Sequence, residues 1–347
     1  MMDGSNSNNP LSFQDLRILT FYDRIKQILN GKIPYPRTAI IYPVYGCNYD
    51  CCGCEYSSLN SKPIMLDFRR FISLLDELGD VGVEGIEFCG GGEPTLYPKL
   101  KDIISYGKTK GFSFGILTNG TMSEDLAEFL AKNLRYIRIT MNAGSKEVYL
   151  QFQKPKIKNA WDVVCDRINI INSSRRAYNP TLVFGMKVLI GRNNIHDLEN
   201  MVEFSIKMGF DNLQIKLLRQ DKESLTDQEE KSLEVKIREL KQRYNFKILY
   251  NGRNLIQRRC ILTPLQTTID AKGDIFLCCY FSYRQEQHKI GNIYENKFQY
   301  IWGSEEHINK IKNINPELCN LFDCRFIRYH KVIEELIEKD IGQFEFI

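Results

Sequence analysis

Cys47-Asn48-Tyr49-Asp50-Cys51-Cys52-Gly53-Cys54 spaces three thiols as C-x3-C-x2-C on one short loop. Thiolates so spaced can hold three irons of a 4Fe-4S cube and leave the fourth iron without a protein ligand. An iron with a vacant position can take a chelating cosubstrate, so such a cluster does chemistry, whereas four thiolates seal a cluster for electron transfer. The plainer readings of a cysteine-rich loop are a zinc site or packed free thiols, because zinc takes thiolates and free cysteine packs as a small hydrophobe. Zinc knuckles come as C-x2-C pairs with a fourth ligand nearby, and this loop supplies an odd three. Cys52 interrupts the run and is read as a non-ligand.

Downstream, Ile86-Glu87-Phe88-Cys89 reads as a short buried strand running into Gly90-Gly91-Gly92-Glu93-Pro94-Thr95. Glycines at the C-terminal end of a strand let a backbone approach a ligand closely, and Glu93 can accept hydrogen bonds from an ammonium group. Alone, such a stretch is more often a tight turn between strand and helix. Together the two motifs resemble the radical S-adenosylmethionine (SAM) superfamily, with its C-x3-C-x-Φ-C loop after the first barrel strand and GGE after the second. The resemblance implies that Cys47, Cys51 and Cys54 ligate a 4Fe-4S cluster, that SAM chelates its open iron, and that Gly91, Gly92 and Glu93 contact the SAM amino group. One position departs from the pattern. The residue before the last cysteine is usually aromatic, and here it is Gly53, so the wall beside the adenine has to come from elsewhere, with Tyr56 as the candidate.

The 347 residues, 43% hydrophobic, can bury a sizeable core and suit one large domain plus a smaller one. No apolar run is long enough for a membrane span and no secretory leader is visible, so the expectation is a cytoplasmic protein without a membrane partner. The 11 cysteines then point to metal in a reducing compartment and not to disulfides. A net charge of +4 without a basic block gives no reason to expect nucleic acid.

Apolar stretches at Ala39–Val44, Gly85–Cys89, Ser113–Leu117, Tyr136–Met141, Leu182–Ile190 and Asn212–Leu217 alternate with helical patterns such as Phe68–Leu78, Lys99–Lys108, Asp125–Asn133 and Leu198–Lys207. This rhythm predicts an α/β fold with a parallel sheet. The resemblance makes it a partial (β/α)6 TIM barrel, open on one side. In such barrels the site lies at the C-terminal ends of the strands, where both motifs fall. Thr118-Asn119-Gly120 follows the third strand, Asn142 follows the fourth and Lys187 lies within the fifth, and by resemblance these regions line the SAM ribose and carboxylate pocket. A turn, a helix cap and a surface lysine are the plain alternatives. Gln214 and Lys216 alternate with Leu213 and Ile215, as one polar lumen face requires, and are candidates for substrate contact.

Ahead of the barrel, Ser5–Pro10 is polar and expected to fray, and Leu16–Leu29 reads as an amphipathic helix. Beyond the sixth strand, Thr226 with Glu229 makes a capping box opening a charged helix to about Arg243, read as a solvated outer face. The C-terminal part carries a second cysteine set. Cys260 and Cys278 flank Thr267–Leu277, two alternating strands around a turn at Gly273, and Cys319 and Cys324 stand as C-x4-C. A hairpin brings Cys260 and Cys278 near one another, and four thiolates suffice for a fully ligated second 4Fe-4S cluster. The spacing C-x12-G-x4-C resembles the opening of the SPASM domain, and the short remainder its reduced, one-cluster twitch form. Gly291-Asn292-Ile293 with Trp302 resembles the segment after the hairpin in that group. A four-thiolate zinc site and unligated core cysteines remain the alternatives, Cys279 could replace Cys278, and Cys89 and Cys165 read as core residues.

These readings divide the chain into an arm at 1–36, a SAM-cleaving core at 37–245, a small α+β auxiliary domain at 246–330 and a tail at 331–347. The resemblance implies that a reductant such as flavodoxin or ferredoxin reduces the first cluster and that a 5′-deoxyadenosyl radical abstracts a hydrogen from a substrate in the barrel mouth. The sequence names no residue for that step. Residues 1–36 are too few for a recognition domain of ordinary size, which with the single auxiliary set favours a small polar metabolite, sugar-, aminocyclitol- or nucleotide-like, as substrate. A peptide substrate is the runner-up, and a non-catalytic zinc-thiolate module the remote third.

Overall fold

The computed structural model describes residues 15–59, 63–219, 221–252, 260–280 and 284–319, with 324, 326, 329, 330 and 333. Ser5–Pro10 and nearly all of 331–347 lie outside these residues. β1 (Thr38–Ile41) leads into an antiparallel ladder of β2 (Val44–Tyr45) and β3 (Ile64–Met65), which closes the base of the cysteine loop. β4 (Gly85–Phe88), β5 (Ser113–Thr118), β6 (Tyr136–Thr140), β7 (Val183–Ile190) and β8 (Asn212–Leu217) then continue the parallel sheet begun by β1. β9 (Ile248–Leu249) adds a short parallel strand against β8. The first strand is shorter than the pattern over Ala39–Val44 suggests. Pro43 has no N–H to give a ladder, so β1 stops at Ile41 and the chain turns into β2.

Up to residue 243 the α-helices are α1 (Tyr22–Leu29), α2 (Phe68–Asp80), α3 (Leu100–Thr109), α4 (Glu124–Asn133), α5 (Lys146–Gln153), α6 (Ala160–Tyr178), α7 (Leu198–Lys207) and α8 (Asp227–Arg243). α2 shows how they form. Asp67 caps it by accepting from the Arg70 N–H at 2.9 Å, and Phe71, Leu74, Leu75 and Leu78, spaced to fall on one face, are buried under the sheet. The expected helix over Leu16–Leu29 is two pieces, a 3₁₀ turn at Asp15–Phe21 and then α1, with Ile18 and Ile25 reaching the core from each. α8 carries the Thr226–Glu229 capping box, and it is not wholly a solvated face, since Leu233, Ile237 and Leu240 are buried.

The C-terminal hairpin is β10 (Gln266–Ile269) and β11 (Asp274–Phe276), joined by a turn in which Gly273 takes φ +81°, and it is extended by β12 (Lys289–Asn292). β10 lies parallel to β1, Thr38 opposite Gln266 and Ile41 opposite Ile269. The edge of β1 that a six-strand partial barrel leaves unpaired is thus filled, and the sheet runs β12-β11-β10-β1-β4-β5-β6-β7-β8-β9. The segment after the hairpin is fixed to the barrel as well. Arg70 Nε donates to the Ile293 carbonyl at 2.8 Å, the Phe298 N–H to Glu77 Oε2 at 2.7 Å, and Trp302 Nε1 to the Pro34 carbonyl at 2.9 Å. Among the described residues no helix is long and apolar enough to cross a membrane.

The hairpin turn is latched from the other side by Tyr45, whose hydroxyl donates to Asp270 Oδ2 at 2.7 Å, while Asp270 Oδ1 accepts from the N–H groups of Lys272 and Asp274. Burial, offset in part by the Tyr45 bond, pushes the Asp270 carboxyl from 3.8 up to about 6. A carboxyl that holds its proton more tightly folded than unfolded contributes stability below pH 4 that is lost as pH rises through 6. Asp270→Asn removes that ionisation cost, so its melting temperature relative to the parent should rise between pH 4 and pH 7. Thermal melts of the two proteins across that range check this, and a difference that is flat or falls with pH contradicts it.

Candidate functional site

The loop from Gly46 to Leu59 stands on the β2–β3 ladder at the C-terminal end of β1. Its cysteine turn is held by a segment that the helical patterns did not reveal, the end of α5. The N–H groups of Asp50 and Cys52 donate to the carbonyls of Lys154 and Phe152 at 3.2 and 2.8 Å, Lys156 N–H donates to the Asn48 carbonyl, and Cys51 Sγ lies 3.5 Å from the Gln153 carbonyl. Gln153 is buried in turn, accepting from the Asn142 N–H at 2.7 Å and donating to the Thr140 carbonyl at 3.2 Å. The thiols of Cys47, Cys51 and Cys54 are half-buried, and Cys54 is near enough to raise Cys47 and, with Cys47, to raise Cys51. Burial is the main cause, and it pushes Cys47 up to about 11, with the Glu93 charge second. Each therefore gives up a proton on binding metal. Gly53 sits at φ +62°, and a side chain there would meet Leu218 Cδ1 at 2.2 Å. An aromatic residue has neither the backbone conformation nor the room, and Leu218 fills that space.

The glycine run packs against the same loop. A Cβ on Gly92 would fall 2.1 Å from the Gly46 carbonyl oxygen, which also accepts from the Glu93 N–H at 3.0 Å, so only glycine permits this approach. Glu93 is almost fully buried, and burial raises its carboxyl above the usual range, pulled back by four donors. Its Oε1 accepts from the Thr95 N–H and hydroxyl and from the Thr118 hydroxyl at 2.6 Å, and its Oε2 from the Asn119 N–H at 2.7 Å. Asn119 Nδ2 donates to Asn48 Oδ1 at 2.7 Å and lies 4.0 Å from Cys47 Sγ. Thr118-Asn119-Gly120 thus joins the glycine run to the cysteine loop. Oε2, with one donor, keeps acceptor capacity for a ligand cation.

Ile86, Phe88, Ile116, Ile137 and Ile139 are buried against the helices, so the alternate residues Glu87, Leu117, Arg138 and Thr140 lie on the lumen face. Lys187 continues that row, between Thr140 and Gln214, and is partly buried; Lys216 stands opposite Leu189 one step higher. Asn142 is buried at the end of β6, its Oδ1 accepting from the Leu189 N–H at 2.8 Å and its carbonyl from Asn194 Nδ2 at 2.9 Å. Its oxygen therefore ties β6 to β7, and only its amide nitrogen is left to meet a ligand.

The second set converges on one cavity. Cys260, Cys278, Cys319 and Cys324 line it together with Thr263, Arg284 and His288. Burial raises Cys260 and pushes Cys278 up to about 12. Cys278 Sγ lies 3.5 Å from His288 Nδ1, and the Phe326 N–H donates to Cys324 Sγ at 3.4 Å. Cys279, in the bend that follows β11, turns to the other side and joins Tyr42, Tyr45, Cys89 and Phe276 in an apolar cluster against the lumen. Its carbonyl accepts from the hydroxyls of Tyr56 at 3.1 Å and Tyr42 at 3.3 Å. Tyr56 stands two residues beyond the first cysteine set, so one hydrogen bond separates the two cysteine segments.

Comparison with known proteins matches the model of the Radical SAM superfamily to residues 41–205 and that of the SPASM iron-sulfur cluster-binding domain to residues 260–325. A tungsten-containing aldehyde ferredoxin oxidoreductase cofactor-modifying protein of Pyrococcus furiosus is 24% identical over 176 residues, 48% of this chain and 47% of that protein. An AdoMet-dependent heme synthase of Methanosarcina barkeri is 23% identical over 167 residues, 47% and 45% of the two chains, so the chain spans about half the length of these curated relatives. Among solved structures, Streptococcus suis SuiB bound to precursor peptide SuiA superposes with a TM-score of 0.67 at 14% identity, covering 96% of this chain and 81% of that one. Native anSMEcpe with bound AdoMet gives 0.64 at 16% identity, covering 89% and 98%. These likenesses show the fold. The two matched models take in more than half of the residues and contain every cysteine of both sets, and the chain belongs to the radical SAM superfamily, with a C-terminal SPASM iron-sulfur cluster-binding domain.

Proposed function

We propose that this protein is a radical SAM enzyme that cleaves SAM at a 4Fe-4S cluster on Cys47, Cys51 and Cys54 and abstracts a hydrogen from a small polar metabolite. A second 4Fe-4S cluster sits on Cys260, Cys278, Cys319 and Cys324; residues 37–245 form the SAM-cleaving core and 246–330 the auxiliary domain. The observation that carries this reading is the Tyr56–Cys279 hydrogen bond, which sets both cysteine segments at the edge of one lumen. Zinc knuckles take paired C-x2-C thiolates with a fourth ligand nearby, and the odd three thiols of the first loop suit a cube with one open iron better.

When bound, the first cluster and SAM supply one electron and the 5′-deoxyadenosyl radical, with flavodoxin or ferredoxin as the electron source. The chain's part is to hold and shield. Gly91 and Gly92 bring backbone up to the SAM amino group and Glu93 Oε2 accepts from it, Lys187 faces the SAM carboxylate or ribose with the Asn142 amide nitrogen beside it, and Leu218 replaces the aromatic wall at the adenine. The apolar cluster around Tyr42, Tyr45 and Phe276 excludes water from one side of the lumen. The polar face made by Glu87, Arg138, Gln214 and Lys216 supports a small polar substrate. A peptide substrate is the second reading, supported by the likeness to the mycofactocin maturase MftC of Mycobacterium ulcerans, 29% identical over 106 residues. Formation of 5′-deoxyadenosine above the uncoupled rate, measured with metabolite and peptide fractions of a host extract offered separately, tells the two apart.

Anaerobically reconstituted protein should bind about eight irons per chain, as two four-iron cubes require. Replacing Cys47, Cys51 and Cys54 together by Ala should leave about four irons and abolish reductive SAM cleavage, and cleavage retained in that variant sinks the assignment. Changing Cys319 and Cys324 to Ala should also leave about four irons, yet uncoupled SAM cleavage should survive while substrate turnover falls at least tenfold. Iron analysis with 5′-deoxyadenosine and product assays reads both, and unchanged iron in the double variant overturns the second site.

A further inference from the structure

The two cysteine sets lie in opposite electrostatic surroundings. The first has the buried carboxylate of Glu93 as a leading influence on Cys47, whereas the second has a buried guanidinium in its wall. Arg284 is 5% exposed, and its Nη1 donates to Cys319 Sγ at 3.2 Å while Nη2 lies 3.9 Å from Cys278 Sγ. It is held in that attitude by the Tyr280 carbonyl, which accepts from Nε at 3.0 Å and from Nη2 at 2.6 Å. A guanidinium does not lose its proton in a protein, and burying one is costly unless a negative group answers it. Among the described residues no carboxylate pairs with Arg284, and the groups that answer it are a carbonyl and two of the four thiols.

We propose that Arg284 sets the electron affinity of the auxiliary cluster, its fixed charge and its N–H···S bonds to Cys319 and Cys278 favouring the reduced form. This rests on reading the four cysteines as a cluster site. Reduction adds one electron, and hence one negative charge, to a group out of water, and a cation against its ligating sulfurs stabilises the more negative state. Net charge and hydrogen bonds to sulfur are the levers by which proteins set such potentials. Arg284 reaches the ligands only, so it is a tuning residue and not a catalytic one. The first set has no buried arginine against its thiols among the described residues, so Arg284 acts on the second site alone.

The test is an EPR-monitored redox titration of the reconstituted full chain and of Arg284→Gln and Arg284→Lys, with iron and sulfide measured on each. Arg284→Gln should keep about eight irons, and at a fixed potential its auxiliary cluster should show a reduced-to-oxidised ratio at least tenfold lower, a shift of about 59 mV for a one-electron couple. The first cluster should not move, and Arg284→Lys, which keeps the charge without the fork, should fall between the two. An unshifted auxiliary midpoint in Arg284→Gln at full iron overturns the proposal. So does loss of the second cluster in Arg284→Gln combined with a parental midpoint in Arg284→Lys, which makes the residue structural. A parental protein that binds only about four irons defeats the cluster reading itself, and the iron analysis separates that failure from the others.

Discussion

The Glu93 carboxylate is the tie on which the first site depends. It is buried against its own preference for water and is kept there by four donors from two segments, the turn after the glycine run and the end of β5. A buried carboxylate is tolerated where its acceptor capacity is filled, and it then fixes its donors in place. Through Asn119 and Asn48 that fixation passes to the loop carrying Cys47. Gly92 and Gly46 meet backbone to backbone behind it, so three strand ends and the cysteine loop share one small volume.

The second site depends on the sheet. β10 pairs with β1 along four residues, and the strand that would otherwise end the barrel becomes the support for the hairpin that positions Cys278. The bend after β11 does the rest. Cys278 turns to the cavity with Arg284 and His288, and Cys279 turns to Tyr42 and Tyr56 at the lumen. The two cysteine segments are thus neighbours, joined through the Tyr56–Cys279 hydrogen bond, and the second cavity lies on the side of the hairpin turned away from the lumen.

Much of this is legible in the sequence because it is local. The C-x3-C-x2-C loop, the glycine run at a strand end, the alternating β5 to β8 and the hairpin at Gly273 each carry their signal within a few residues. The features that the sequence hides are long-range or weakly patterned. α6 buries Asn172 and Ser174 along with Val164, Ile168 and Ile171, so its apolar face is blurred, and α5, whose end holds the cysteine turn, is only eight residues long. The role of Gln153 comes from Asn142 and Thr140, brought together by a turn of chain that no periodicity reports. Gly53 looks like a departure until Leu218, 165 positions away by number, is seen to occupy the aromatic's place. The β1–β10 pairing joins segments more than two hundred residues apart, and Arg284 carries no motif at all.

The most direct test of the central claim is electron–nuclear double resonance on the reduced cluster of the Cys319→Ala, Cys324→Ala protein with SAM labelled with ¹⁵N at the methionyl amino group. A SAM molecule chelating the open iron beside Glu93 predicts a ¹⁵N coupling to the cluster spin, present with labelled SAM and absent with unlabelled. A reduced cluster on Cys47, Cys51 and Cys54 that shows no such coupling at saturating SAM contradicts the account.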